Sequence, residues 1–551
     1  MSRIAPALHV LLAGSLLLGL SACSRCGGGA AEAPLAPQNI PHFGKGKDKV
    51  SLLFVGDMSV ARGITDRIEK RGSGDPAWPF ELIRPTLEKY DLVFANLECV
   101  VSDSTAEEAT SKTYRIRAAT KYATKLKEVG IDVISVANNH AMDFGAQGFN
   151  STLAQAHEMG LVTIGSQDEA GWAQKPVIVP VGELKVGFLG YNQHGDEYKH
   201  ADWRPSSARY KINEVVEDVR RARPLVDILV VSVHGGPELS HTPWNWQERD
   251  SRAVIDAGAD MWIGHHPHVA QPYLQYKNGI IVYSLGDFLF DKNSPWLVHR
   301  NKPRLFLEVN LDKSDGKGRI ASWRMVGGDQ DVDYRPLVDE ASFDVESFRE
   351  QPRDPAVTLS ALLPKATVER LRGKEVEECD RWEKHRMPIS GHAFRWLQPR
   401  WGCDGDSKRE MKTPWRTVAV SAEVLKGSLK TGIWAHPHAG GPLRLSFHDV
   451  PLQQRLVGFS GVPDWGVVLS QKQKTTVPPV KVTITIGSGK GAVKSSFDVP
   501  YVAGVFPLEI DTSAFAGKKE SVVVEIEGGT GDKEGRFLFD LAVRSPMTTA
   551  N

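Results

Sequence analysis

The chain has 551 residues, 41% of them apolar and 24% charged, with 67 basic and 67 acidic side chains. That length exceeds a single ordinary hydrophobic core and predicts two or three domains. A net charge of zero, with no long Lys/Arg run, gives no electrostatic case for nucleic acid or for an acidic membrane face.

At the start of the chain, Arg3 precedes an apolar stretch from Leu8 to Leu20 that is broken by Gly14 and Gly19 and runs into Ser21-Ala22-Cys23. The stretch is too short to span a membrane and has the length of a signal-peptide core. Small residues before a cysteine resemble a bacterial lipobox, in which Cys23 is lipid-modified and becomes the mature N-terminus. A plain signal peptide with an incidental cysteine is the alternative. Lipidation predicts an exported protein of the bacterial cell envelope, tethered to a membrane without crossing it. Ser24, rather than Asp, after the cysteine favours the outer membrane, facing the periplasm, in a host that has one. Residues 1–22 then form the lipoprotein signal peptide and 23–47 a flexible tether, rich in Gly, Ala and Pro from Gly27 onward. An exported compartment also permits a disulfide between Cys379 and Cys403, while Cys99 reads as a small packed residue.

From Lys49 to about Leu311 strand and helix patterns alternate. Leu82–Lys89, Thr120–Val129, Gln147–Met159, Val215–Ala222 and Ser251–Ala257 carry helical spacing. Between them lie six short apolar runs: Ser51–Val55, Leu92–Ala95, Val133–Ala137, Asp227–Val233, Met261–Ile263 and Ile280–Leu285. Runs of this kind read as buried strands of a mostly parallel sheet covered by helices, an α/β domain over 48–340. Residues 341–413 read as a connector, with charged helix-like material over Thr367–Trp382. From Pro414 the period changes to two, as in Val480–Ile486 and Leu443–Phe447. The alternation predicts an all-β sandwich or jelly roll over 414–548. There Trp434 and Trp465 either stack on a carbohydrate face or pack in the core. Gly487-Ser-Gly-Lys-Gly491 lacks the spacing of a phosphate loop and reads as a hairpin turn. His436-Pro-His438 stands without convergent carboxylates.

Each of the six apolar runs stops on residues of metal-ligand type: Asp57, Asn96-Leu-Glu98, Asn138-Asn-His140, His234, His265-His-Pro-His268 and Asp287. In an open α/β sheet the binding crevice lies outside the carboxyl ends of the strands, so these residues converge although they span more than half the domain. Asp, Glu, Asn and His together are the donors of a hydrolytic divalent-metal site. His140 beside Asn139 suits a proton donor next to a ligand. Asp143 is either its orienting carboxylate or a first-turn helix residue. Pro267 sets two imidazoles in a rigid relation.

In order and spacing, Gly-Asp57, Asn96-Leu-Glu98, Ala137-Asn-Asn-His140, His234-Gly, His266-Pro-His268-Val and Tyr283-Ser-Leu-Gly286 resemble the CapA, or poly-γ-glutamate capsule synthesis, family over roughly residues 49–312. That family is similar in fold to calcineurin-like metallophosphoesterases, which implies an αββα sandwich. The resemblance implies that Asp57, Glu98, Asn139, His234, His266 and His268 hold one or two divalent ions (Mn, Zn or Fe), with His140, and Asp143 beside it, as catalytic residues. It places Arg62 where an anionic group binds, and Asn96, His265 and Asp287 are assigned with it to substrate. Two departures from the phosphoesterase pattern match the CapA one: Asp57-Met58-Ser59 lacks the imidazole of an Asp-x-His element, and Asn96-Leu-Glu98 replaces a Gly-Asp-x-x-Asp element. Ser284-Leu-Gly-Asp287 in addition carries Asp where the family usually has Asn.

The expected function is a metal-dependent, hydrolase-like envelope protein acting in exopolymer synthesis, export or anchoring. Its substrate is an anionic exopolymer or a phosphoester, and its partners are a membrane, through the lipid anchor, and capsule synthase subunits. The alternative is a non-catalytic polymer-binding scaffold of a synthase complex. A secreted nucleotidase is weaker, for want of a nucleoside-recognition module.

Overall fold

The computed structural model describes residues 38–104, 112, 114–167, 175–194, 206–291, 303–350, 357–372, 375–382, 400–402, 417–435, 441–464, 466–467, 477–528 and 537–544. The signal peptide, Cys23, the tether up to residue 37, Cys403, His436-Pro-His438 and Trp465 lie outside the described residues. Residues 38–47, the end of the expected tether, run along the fold. Gln38 exchanges hydrogen bonds with Thr163, and His42 Nε2 lies 2.7 Å from the Gly182 carbonyl.

The first apolar runs serve two cores at once. In the strand Lys49–Met58, Leu52 and Phe54 join one buried cluster while Leu53 and Val55 join another. A strand buried on both faces needs a continuous apolar run, which is why alternation is missing here. Lys49–Met58 pairs in parallel with Leu92–Leu97, which pairs with Val133–Ser135 and that in turn with Val162–Ile164. Arg304–Asp312, Arg319–Gln330 and Pro336–Val338 extend this sheet antiparallel on the other side. A second sheet runs Tyr273–Tyr276, Gly279–Val282, Met261–His265, Ile228–His234, Leu184–Asn192, Val177–Val181, and its four inner strands are parallel.

Phe54, Leu92 and Phe94 of the first sheet share a core with Val186, Phe188, Val230 and Ile263 of the second, so the sheets pack face to face. The helices lie outside. Gly145–Glu158 buries Phe149, Leu153 and Ala156 against the first sheet, and Ile212–Ala222 buries Val215, Val219 and Ala222 against the second. These are the i, i+4, i+7 positions of one helix face. The helix expected over Thr120–Val129 is instead one 3₁₀ turn, Thr120–Tyr122, followed by turns. Thr124 Oγ1 bonds back to the Lys121 carbonyl at 3.0 Å, a local competitor of helical bonding.

The C-terminal part holds two sheets, antiparallel throughout. One runs Glu375–Glu378, Thr367–Arg372, Leu443–Pro451, Lys519–Glu527, Val480–Ile486, Val493–Val499. The other runs Asp380–Trp382, Arg400–Gly402, Thr417–Leu425, Ser428–Ala435, Phe537–Arg544, Arg455–Gly461, Phe506–Asp511. Leu445, Val482 and Val524 of the first meet Ile433, Leu456 and Phe539 of the second in one core. Within Thr367–Trp382 the described segments Thr367–Arg372, Glu375–Glu378 and Asp380–Trp382 are therefore strand, not helix, and the two sheets draw in residues read as connector. The buried Arg370 beside Val368 disguised the inward positions of Thr367–Arg372. Cys379 is buried and disulfide-bonded, with its partner outside the described residues. Residues 487–492 join two antiparallel strands, as a hairpin turn does.

The two parts meet at the turn between Thr417–Leu425 and Ser428–Ala435. Val424 and Leu429 enter the core between the paired sheets, and the Leu429 amide donates to Ser347 Oγ at 2.8 Å. Gly427 (φ +76°) is required there, because a Cβ would stand 2.4 Å from the Ser342 carbonyl oxygen.

Candidate metal centre

The carboxyl ends of the parallel strands in both sheets open on one place. Gly56 lets the chain close up there, since a Cβ on it would meet the Gly286 carbonyl oxygen at 1.9 Å. Asp57, next along, is fully buried and a direct strand partner of Asp287. Asp287 was expected at a strand end. It opens a strand instead: the chain leaves the second sheet after Val282 and crosses to pair Asp287–Leu289 with Lys49–Met58.

Two groups of side chains form here, each offering donor atoms within 4.8 Å of one another: Glu98, His234 and His266, and Asp57, His268 and Asp287. In the first, His234 Nε2 stands 3.1 Å from His266 Nδ1, 2.9 Å from Asn139 Oδ1 and 3.6 Å from Glu98 Oε1. In the second, His268 Nδ1 lies 2.9 Å from Asp287 Oδ1 and 3.5 Å from Asp57 Oδ2. Glu98 Oε1 is also 3.6 Å from His268 Nε2, so it lies between the groups.

Glu98 is fully buried, and among the described residues neither of its oxygens has a hydrogen-bond partner. A carboxylate left so is costly unless a cation takes the place of water. The proton affinities around it pull apart. Burial raises the Glu98 carboxyl well above its ordinary range, while burial and neighbouring imidazoles hold His234 and His266 well below theirs. Burial works against His268 as well, but Glu98, Asp287 and Asp57 draw its pKa up to about 10. His266 and His268 sit at φ 97° and 56°, a backbone region that costs non-glycine residues of order 1–3 kcal/mol each. The Asp57 carboxylate helps to hold the loop, accepting the His266 amide at 3.0 Å.

Beside the groups, His140 Nδ1 hydrogen-bonds Asp143 Oδ2 at 2.6 Å, the orienting role rather than the helix-turn one. Asp143 also accepts the Ile116 amide at 2.8 Å and Lys112 Nζ at 3.1 Å. Burial holds the His140 imidazole below its ordinary pKa even though Asp143 raises it. Lys112 Nζ further reaches the Asn139 carbonyl at 2.5 Å.

The structure does not set Asn96 and His265 at a substrate face, as expected from sequence. Both are fully buried. Asn96 Nδ2 lies 2.8 Å from Asp57 Oδ1 and 3.2 Å from His234 Nδ1, a strut between the two sheets. His265 Nδ1 lies 3.3 Å from Asp57 Oδ1, with its ring against Phe94. Arg62, at the rim, is gripped by Asp291 through Nε at 2.9 Å and Nη2 at 2.5 Å, and lies over the Phe290 ring. That ring also contacts His268, with centroids 4.5 Å apart.

Sequence reasoning missed Lys112, Phe290 and Asp291, and also His194, whose ring lies 4.0 Å from that of His266. Asp291 had a signal, the closing carboxylate of Phe288-Leu-Phe-Asp291. Lys112 had none, since nothing sets it apart from other lysines.

Residues 51–292 match the profile of the family described as "Bacterial capsule synthesis protein PGA_cap". The chain is 30% identical over 252 residues to the capsule biosynthesis protein CapA of Bacillus anthracis, covering 44% of this chain and 61% of that one. It is 30% identical over 275 residues to the PGA biosynthesis protein CapA of Bacillus subtilis (strain 168), covering 50% and 70%. A probable polyglutamine synthesis accessory protein of Mycobacterium tuberculosis is 26% identical over 298 residues, covering 51% and 74%. The chain thus spans less than two thirds of the B. anthracis relative's length.

Proposed function

This chain belongs to the bacterial capsule synthesis protein PGA_cap family, and on that premise we propose that it is an envelope-anchored, metal-dependent hydrolase-like protein acting in the synthesis, export or anchoring of a capsule or poly-γ-glutamate-type exopolymer. We read the paired sheets as a metallophosphoesterase-like core within residues 48–340, followed by a connector over 341–413 and a β-sandwich domain over 414–548. The observation that carries the reading is Glu98, which is buried with no hydrogen-bond partner among the described residues and lies in one group with His234 and His266, whose imidazoles resist protonation. Asp57, Glu98, Asn139, His234, His266 and His268 fit a divalent ion, since mixed carboxylate, amide and imidazole donors suit Mn, Zn or Fe. Such an ion supplies Lewis acidity toward an anionic substrate.

The chain's own residues do the rest. Asp143 holds the His140 ring through Nδ1, which fixes its orientation for moving a proton at Nε2. Lys112 and the Ile116 amide fix Asp143 in turn. Arg62 offers the rest of its guanidinium, beyond the Asp291 contacts, to an anionic group of the substrate. Anchoring rests on Cys23. Among the described residues no helix is long and apolar enough to cross a membrane. Cys23→Ser is expected to move the protein out of the membrane fraction, and unchanged partition without a lipid label defeats that part.

The second reading is a non-catalytic scaffold that binds an anionic polymer and recruits synthase subunits. Ser59 favours it, because this hydroxyl, where an imidazole ligand is missing, accepts from the Ala61 amide at 3.3 Å. Assays on phosphomonoester, phosphodiester and amide substrates with added Mn²⁺ decide between the two. Turnover that His140→Ala abolishes supports the enzyme. Metal-loaded protein inert on all three supports the scaffold.

A further inference from the structure

We infer that Asn192 is a substrate-binding residue, whose side-chain NH₂ group, beside His234 at the end of the neighbouring strand, donates to an oxygen of the anionic substrate. This rests on the reading of the cleft as a metal centre and goes beyond it by adding a residue that touches the substrate and the kind of atom it takes.

Position comes first. The strand Leu184–Asn192 turns Val186 and Phe188 into the core between the paired sheets, and Leu189 and Tyr191 toward the helices outside. Side chains alternate along a strand, so Asn192 projects from the inner side. Its partner in the adjacent parallel strand is His234. Paired residues on parallel strands project to the same side of a sheet. Asn192 therefore stands beside His234 at the carboxyl ends of the strands, where the crevice of such a sheet lies.

Its hydrogen bonds leave one atom over. The Asn192 amide donates to the Ala208 carbonyl at 2.7 Å, and the Asn192 carbonyl accepts the Tyr210 amide at 2.9 Å. Oδ1 accepts the His194 amide at 3.0 Å. That bond fixes which end of the side chain is the NH₂, since a backbone N–H requires an acceptor. The residue is 1% exposed, and its Nδ2 has no hydrogen-bond partner among the described residues. Asn96 and Asn138, after other strands, use theirs inside the fold. Asn96 Nδ2 donates to Asp57 Oδ1 and Asn138 Nδ2 to the Leu97 carbonyl, each at 2.8 Å. A buried donor left without an acceptor is costly, and an oxygen of a bound molecule removes the cost.

The simpler account puts an ordered water on Nδ2. The nearest candidate to share it is Ser207 Oγ, also buried without a partner among the described residues, one residue before the Ala208 that accepts the Asn192 amide. His234 is engaged already, through Nδ1 with Asn96 and through Nε2 with Asn139 and His266. A water held by two groups falls short of the about three bonds that a buried water makes. A ligand oxygen that takes its place keeps the bond to Nδ2. Arg62, over the Phe290 ring that touches His268, borders the other group of donors. Substrate oxygens thus meet a charged anchor beside one group and a neutral anchor beside the other. A neutral NH₂ takes a phosphoryl or a carboxyl oxygen alike, so the probes must tell these apart.

The test measures binding of inorganic phosphate and of a γ-linked glutamate trimer to the metal-loaded full chain by calorimetry, with Asn192→Ser beside wild type. Serine keeps an acceptor for the His194 amide but carries no NH₂. Wild type should bind at least one probe, and which one identifies the oxygen. Asn192→Ser should bind it about tenfold more weakly or worse, with metal content and circular dichroism unchanged. Equal affinity in the two proteins overturns the inference and leaves the metal centre standing, as does metal-loaded wild type that binds neither probe. A variant that loses its metal as well also overturns it, because Asn192 then acts through the centre. A crystal structure of wild type with the bound probe needs no variant to fold. It should place a probe oxygen within about 3.2 Å of Asn192 Nδ2, and a water on Nδ2 with the probe elsewhere overturns the inference. Wild type that takes up no metal overturns both this inference and the function proposed above.

Discussion

At the ends of the paired sheets Glu98 is buried with no hydrogen bond to either oxygen among the described residues, whereas in the C-terminal sheets the buried Asp540 is well supplied. Asp540 accepts the Ser360 amide at 2.9 Å, the Leu541 amide at 2.8 Å and the Ser360 hydroxyl. Both carboxyls lie among apolar strands, and burial raises the proton affinity of each. The difference lies in what surrounds them. Asp540 has partners the chain provides, and so it reads as structure, tying the Leu359–Leu362 turn to the sheet. Glu98 is grouped with His234 and His266, which resist protonation, and shares the charge of His268 with Asp57 and Asp287, and so it reads as half of an interaction whose other half is a ligand. Burial alone marks neither as functional; a missing partner inside a cluster of ligand-type side chains is what separates Glu98 from Asp540.

The largest expected effect lies on the structural side. Trp434 is fully buried with Leu425 and Leu538, and Phe459 packs against them. Trp434→Ala should cost about 3–5 kcal/mol by denaturant unfolding, with metal content of the folded protein unchanged. A cost under about 1 kcal/mol would mean that Trp434 is not the core residue that its burial makes it.

On the other side, metal should stabilise the chain. With one site at a free-metal concentration about 100-fold above Kd, wild type gains about 2.7 kcal/mol. Glu98→Gln should gain nothing from metal, yet be no less stable than wild type when metal-free, because the costly carboxylate is gone. A metal-free Glu98→Gln that unfolds more easily would show that Glu98 has a structural partner after all.

Much of this contrast is legible in the amino-acid sequence. All six apolar runs lead to residues that the fold brings together, five of them because a strand buried on both faces can be polar only where it leaves the sheet. Asp287 is harder to place: the apolar run before it continues through a crossing between sheets, and hydropathy does not record a change of sheet. Asn96 and His265 carry ligand chemistry but sit one layer below the cleft, since spacing gives position along a strand and not depth. In the C-terminal part the period of two marks Val480–Ile486 and Leu443–Phe447, but Thr367–Arg372 escapes it because its inward Arg370 breaks the apolar alternation. Trp434, open in sequence between a carbohydrate face and the core, is core.

The smallest expected effect is a pH dependence. Burial raises Asp540 to about 6 although Ser360 and Leu541 hydrogen bonds lower it. A carboxyl with a folded pKa above its unfolded value contributes stability that is full below the unfolded pKa, and the contribution is lost as pH rises through about 6. Wild type should therefore lose on the order of 1–2 kcal/mol between roughly pH 4 and pH 7 that Asp540→Asn does not lose. Parallel pH profiles for the two proteins would remove Asp540 from the account.

The central claim, that the polar strand ends form a metal centre, is tested most directly by elemental analysis of the purified protein beside a His266→Ala/His268→Ala variant. The account predicts at least one divalent metal ion per chain in wild type and its loss in the variant, with both proteins folded. Equal and negligible metal in the two would contradict it.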